Sequence, residues 1–382
     1  MTKDEAKKVI DQVLSLSTAP DCQVSMISRH SSYTRYANNE ITTSGAARDL
    51  TLSVTSAIER KTGRATVNEV SMEALQRVVT RSGELARIAP PDPEYMEPLE
   101  PQNYPEVQAF FERTAAARAQ DRLPGVRAVI EGAAFKRLFS SGYFANNASV
   151  SAMGNKRGNF GYHRATNASY SATVRTEDGT GSGWAEDASP RIEEVNARRI
   201  ADTAIRKALE SRNPQRLEPG DYTVILEPDA VADLLGGLFS SFSARVAVEK
   251  GVVKNLFYDR YWASKMGKNP TPGPSNIILE GGTASLEDLI KSTERGLLVT
   301  HFWYIRTVNP QNVQLTGLTR DGLFLIENGK IKHPVMNFRF NESPVVMLKN
   351  AEMMTPAVRA GSMIVPAIKA RNFTFSSVSD AV

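Results

Sequence analysis

Between residues 313 and 340, two dipeptides, Asp321-Gly322 and Asn328-Gly329, interrupt runs of β-branched and aromatic residues. Both tolerate the positive φ angles of type I′ turns, so each predicts a tight hairpin. The spacing sets strands over 313–319, 323–327 and 331–340, an antiparallel meander. In the last of these, Phe338 and Phe340 alternate with Asn337, Arg339 and Asn341, giving one apolar and one polar face. A chain with this stretch has a β-rich C-terminal part.

Upstream, helical and strand periods alternate. Ala6, Val9, Ile10, Val13 and Leu14 repeat at helical spacing, with Asp4 and Glu5 at the positive end of the helix dipole. Short strands are predicted over 22–28, 32–36, 40–44 and 50–58, and Ser71 is a good N-cap for a following helix. Six prolines from Pro90 to Pro105 then exclude regular structure. A helix around 106–119, limited by Pro124, precedes a Ser/Thr/Asn/Gly-rich run of strands to residue 188. Ile192, Val195, Ile200, Ala204 and Ala208 form the buried stripe of a long closing helix. The reading is α+β: an N-terminal helix and antiparallel-sheet unit at 1–89, a Pro-rich linker at 90–105, a strand-rich unit at 106–214 and a β-rich C-terminal domain at 219–382.

At 382 residues the chain exceeds a usual single core, which fits several packed units. Its 46 basic and 42 acidic side chains leave a net charge of +4 and no dense Lys/Arg run, so nucleic acid is not an expected partner. No stretch is long and apolar enough to span a bilayer, and the first residues lack the apolar core and cleavage site of a signal peptide. Cys22, the single cysteine, reads as a buried thiol. Together these predict a cytoplasmic protein with no membrane contact.

Four segments carry a resemblance. They are the run at 296–343, Arg35-Tyr36-Ala37-Asn38-Asn39-Glu40, the stretch from Arg175 through Gly179-Thr180-Gly181-Ser182-Gly183 to Trp184, and Glu218-Pro219-Gly220-Asp221 leading into Tyr222. In order and content the chain resembles the TldD/PmbA family, once labelled modulators of DNA gyrase and including a zinc-dependent peptidase that acts on unfolded or small peptides. The resemblance implies a dimeric protein of peptide proteolysis. It also implies a His-Glu-x-x-x-His helix after the strand at 222–226, holding zinc while the Glu activates water. Here that place reads Ala232-Asp233-Leu234-Leu235-Gly236, with no histidine. The four histidines, His30, His163, His301 and His333, are too scattered to share a helical turn. The chain is therefore similar to the PmbA/TldE branch, for which the resemblance implies no zinc in this chain and a TldD-type partner that carries it. Two alternatives stay open: a self-sufficient homodimer with an atypical metal site, and a stand-alone peptide-binding protein. The chain also looks shortened at 247–251 relative to the family.

Other chemistry finds little footing. The glycines at 179–183 lack the Lys-Ser/Thr ending of a phosphate loop and the spacing of a nucleophile elbow, so turn glycines are the simpler account. Glu186 and Asp187 suggest an acid/base pair, but adjacent residues on a strand point to opposite faces, so a solvated edge is the simpler reading. Against this, an antiparallel sheet can accept an extended peptide by strand addition. Trp184, His301, Trp303, Tyr304 and Arg339 are the candidate groove residues, since aromatics and Arg line recognition surfaces. Packing between sheets is the plainer account of the aromatics.

Overall fold

The computed structural model describes residues 1–236, 238, 257–271, 273 and 276–379. The shortened segment at 247–251 lies outside the described residues. Helix α1 (Lys3–Leu16) is closed by a capping box in which Thr2 and Glu5 exchange bonds, and it buries Ala6, Ile10 and Val13. Strands β1 (Asp21–Ala37), β2 (Glu40–Ile58) and β3 (Lys61–Val67) follow, then α2 (Met72–Ile88), N-capped by Ser71 as its sequence predicts. β1 and β2 are single long strands, not the shorter pieces expected. Pairing on both sides satisfies the backbone of β1 through its polar middle around His30 and Ser31.

Beyond the prolines come α3 (Glu112–Ala116) and α4 (Ala119–Phe135). Pro124 lies inside α4 and does not end it. A proline in the second turn forfeits one backbone bond, and burial of Val126, Val129 and Ala133 holds the helix together. Strands β4 (Leu138–Asn155), β5 (Phe160–Thr176) and β6 (Ser182–Ser189) precede α5 (Ala197–Glu210), which starts at an Asn196 cap after a short 3-10 turn. The six strands form one antiparallel sheet in the order β3-β2-β1-β4-β5-β6, so segments on both sides of the proline stretch share it. Alternate residues of its strands face the helices. Val24, Met26, Leu52 and Val54 pack beneath α1 and α2, and Tyr170, Ala172, Val174 and Ala185 beneath α4 and α5.

The remaining elements are β7 (Gly220–Leu226), α6 (Pro228–Leu235), α7 (Arg260–Lys265), β8 (Ile277–Ile278), α8 (Leu286–Lys291) and β9 (Arg295–Val299). They continue through β10 (Phe302–Asn309), β11 (Gln314–Thr319), β12 (Leu323–Glu327), β13 (Lys330–Pro334), β14 (Phe338–Glu342), α9 (Pro344–Lys349), β15 (Ala351–Met354), β16 (Val358–Ala360), β17 (Met363–Val365) and β18 (Ile368–Val378). The main sheet runs β10-β11-β14-β18-β7-β9-β12-β13, with β15 also on β18. All its pairs are antiparallel except β7 with β9. Its interior is filled by Phe302, Phe338, Phe340, Phe373 and Phe375 with Val231, Leu234 and Leu235 of α6. The C-terminal part is thus β-rich and antiparallel, with two differences from the expected meander: the strand expected over 331–340 breaks into β13 at the sheet edge and β14 beside β11, and only one of the two turns closes a hairpin. Asn328-Gly329 closes the β12–β13 hairpin, both residues at positive φ. Asp321-Gly322 closes none.

That dipeptide instead forms a kink. Phe302 pairs with Thr319 on one side and Val299 with Leu323 on the other. Between them the Thr300 N–H and hydroxyl donate to the Gly322 carbonyl, and the Arg320 N–H donates to the His301 carbonyl. Residues 295–309 and 314–327 therefore make one long ribbon with an extra residue at its bend. Asp321 and Gly322, at φ 56° and 131°, absorb that bulge. The bend holds His301 and Asp321 face to face.

Candidate functional site

Pro228 begins α6, whose apolar side is buried in the C-terminal core. Asp229 and Asp233, four residues apart, share its other side and meet the ribbon at its bend. The His301 Nε2 lies 3.6 Å from Asp233 Oδ2, and Nδ1 lies 3.4 Å from Asp321 Oδ2. Asp233 also accepts the Phe302 N–H at 3.0 Å. The second oxygen of Asp321 accepts from the Ser182 hydroxyl on β6. A continuous polar chain thus crosses from the six-stranded sheet to α6. Two residues along β6, on the same face as Ser182, Trp184 lies flat on the His301 ring, with centroids 4.3 Å apart and planes within 8°. Nearby, Lys207 of α5 reaches Glu227, the N-cap of α6, at 2.6 Å.

The electrostatics follow from burial and charge. Burial opposes the charged form of His301, but the bond to Asp321 and the charges of Asp233, Asp321 and Asp229 outweigh it and raise its pKa. For Asp321, 3% exposed, burial is likewise outweighed, here by His301, Ser182 and Arg320, and its pKa falls. Burial pushes Asp233 up to about 6 despite His301. Glu186, on β6 beside the cluster, is pushed up to about 7 by burial and then by Asp229 and Asp233. Asp229 is raised as well, by burial against the pull of Lys207.

The donor set does not fit zinc. Both imidazole nitrogens face carboxylates, at 3.6 Å and 3.4 Å, so neither is turned toward an open position where a metal could join it. Among the described residues no three His, Cys, Asp or Glu side chains are grouped to hold a metal ion. The arrangement is suited to holding charge in place and presenting the carboxylates of Glu186 and Asp229, which accept no hydrogen bond from the described residues.

Of the residues singled out in the sequence, Trp184 and His301 come together in this cluster. Trp303 is 45% exposed and connects through Arg320, whose guanidinium lies 4.2 Å over its ring and 3.8 Å from Asp321. Tyr304 follows it on β10, exposed, at φ 55° and under Arg306. Arg339 sits on β14 in one row with Leu318 and Trp303 and donates to Thr316. No hydrogen bond or ion pair among the described residues joins Tyr304 or Arg339 to the cluster. Sequence reasoning missed Ser182, Asp229, Asp233 and Asp321. The one available signal was the Asp229/Asp233 spacing opposite an apolar helix side. Glu186 and Asp187 do point apart, Glu186 toward the cluster and Asp187 to Arg199 and the Asn196 N–H.

Two family profiles match the sequence: the PmbA/TldA metallopeptidase central domain over residues 97–212 and the PmbA/TldA metallopeptidase C-terminal domain over 243–377. No curated protein matches the chain in sequence. Among solved structures, TldE from Thermococcus kodakarensis is similar at a TM-score of 0.86 and 17% identity, covering 97% of this chain and 99% of that one. A candidate modulator of a DNA gyrase from Thermotoga maritima matches at 0.86 and 16%, over 98% and 100% of the two chains. Another from Bacteroides thetaiotaomicron matches at 0.84 and 19%, over 98% and 99%. At such identities the structural likeness speaks for the fold alone. With both domain profiles matched over well more than half of its length, the chain belongs to the PmbA/TldD family.

Proposed function

We propose that this chain is the non-catalytic subunit of a peptide-processing zinc metallopeptidase, shaping the peptide chamber while a TldD-type partner holds the metal. The observation that carries this is α6. It occupies the place after β7 where the family's zinc helix is expected, yet it presents Asp229 and Asp233, and the one histidine they face is committed to carboxylates. The fold, shared with TldE, accommodates this reading. In this reading Trp184 and His301 form a wall of the chamber, Trp303 and Tyr304 its rim on the ribbon, and Arg339 lies in the row behind Trp303. The substrate is an unfolded or small peptide. The reading places the protein in the cytoplasm, where Cys22, buried, stays a thiol. Among the described residues no helix is long and apolar enough to cross a membrane.

Co-expression with a TldD-type protein tests it. A two-chain complex is expected by mass, with chelator-sensitive cleavage of an unfolded peptide by the complex and none by the lone chain. Chelator-sensitive cleavage by the lone chain overturns it.

A further inference from the structure

Helices α1, α2, α4 and α5 all pack on one face of the six-stranded sheet, through Val24, Leu52, Tyr170 and their neighbours. The opposite face carries no helix among these four, and at its β6 edge the turn at Gly361 between β16 and β17 lies beside the Glu186 carboxylate. Cross-strand partners on it form a row at right angles to the strands: Glu186 on β6 is paired with Ser171, Ser171 with Tyr143, and Tyr143 with Arg35 on β1. Partners in register project to the same side, so the four side chains stand in line. Tyr143 is 43% exposed and stacks on Tyr33 at 5.5 Å, giving the row an aromatic floor.

The ends of the row differ in sign. Glu186 is half-buried and its carboxylate accepts no hydrogen bond from the described residues, which leaves it an acceptor for an incoming donor. His301 lies between Asp233 and Asp321 behind it, and among the described residues Glu186 and Asp229 are the acids of the cluster without a bonded cation. At the other end, Arg35 is exposed and its neighbours in the row, Thr43 and Tyr143, are uncharged. Three interstrand steps of about 4.8 Å separate the ends by roughly 14 Å. An extended chain rising about 3.4 Å per residue covers that span in about five residues.

We infer that this face seats a short peptide with both termini free, its ammonium at Glu186 beside the β16–β17 turn and its carboxylate at Arg35, with the backbone crossing Ser171 and Tyr143. The inference rests on the reading of the chain as a chamber-forming subunit and adds to it a ligand class, a length and a direction. Opposite charges at a fixed span fit a zwitterion of about five residues. A dipeptide cannot reach both ends.

Calorimetry on the full-length chain with Ala-Ala-Tyr-Ala-Ala, its N-acetyl form and its C-amide form tests this. The free-ended peptide is expected to bind best, and each cap to weaken binding about tenfold through loss of one charge-assisted contact. Glu186→Gln should abolish discrimination against the N-acetyl form and keep that against the amide. Arg35→Met should do the reverse. Affinity indifferent to both caps, or no binding by the lone chain or by its complex with a TldD-type protein, overturns the inference. If the complex forms and cleaves peptides while the caps make no difference, only the peptide seat falls. If no complex forms, the subunit reading falls, and titration of the lone chain still decides the seat.

Discussion

At the scale of single residues, the molecule turns on His301. Its ring, 14% exposed, lies between Asp233 and Asp321 under Trp184, so the proton it takes up is matched inside the fold and not by water. Removing one partner of such a pair leaves an uncompensated buried charge, typically at about 3–5 kcal/mol. Asp321→Ala should therefore lower stability by about 3 kcal/mol in urea unfolding. Asp229→Asn, which removes a carboxylate with no bonded partner among the described residues, should cost far less. The pH dependence has a definite sign. His301 has a folded pKa above its ordinary value near 6.5, so its contribution is complete below that value and is lost as pH rises through the folded pKa. Asp233 and Glu186, raised to about 6 and about 7, keep protons in the fold that the unfolded chain releases near pH 4, which also lowers stability as pH rises through that window. Asp321 acts the other way, but only below pH 4, where its depressed pKa lies. Melting temperature should fall steadily from pH 5 to pH 8, and Glu186→Gln should flatten the part below pH 7. A flat profile in the parent chain would contradict this account of the cluster.

At the scale of elements, close approach of β6 and α5 fixes where Trp184 and Glu186 stand. A Cβ on Gly183 would come within 2.2 Å of the Ala204 carbonyl, so no other residue lets α5 lie so near the strand. Gly183→Ala should push the helix away, cost about 2 kcal/mol and shift the fluorescence of Trp184, the neighbouring residue. Much at this scale was legible in the sequence. The Ser71 cap, the Asn328-Gly329 hairpin, the amphipathic stripes of α1 and α5 and the β-rich C-terminal part each follow from local chemistry. Asp321-Gly322 misled because positive φ serves a hairpin turn and a bulge equally, and only the pairing of the flanking strands tells them apart. The cluster was hidden for a different reason. Its members come from 182–186, 229–233 and 301–321, three segments joined only by sheet order. Spacing along the chain carries no trace of that meeting. Trp184 and His301 were found by residue type, whereas the acids beside them look like ordinary solvated side chains until the fold buries them.

At the scale of the whole molecule, two sheets meet through Ser182, Asp321, His301 and Asp233, and the helix expected to carry a metal carries acids that face His301. In the function proposed above, that arrangement is a wall of the peptide chamber, and a TldD-type partner supplies the metal chemistry. The most direct measurement is zinc content after dialysis against zinc, for the purified full-length chain alone and for its complex with a TldD-type protein. The account predicts no stoichiometric zinc on the lone chain and one zinc per two-chain complex. One zinc per lone chain, lost on His301→Ala, would contradict it.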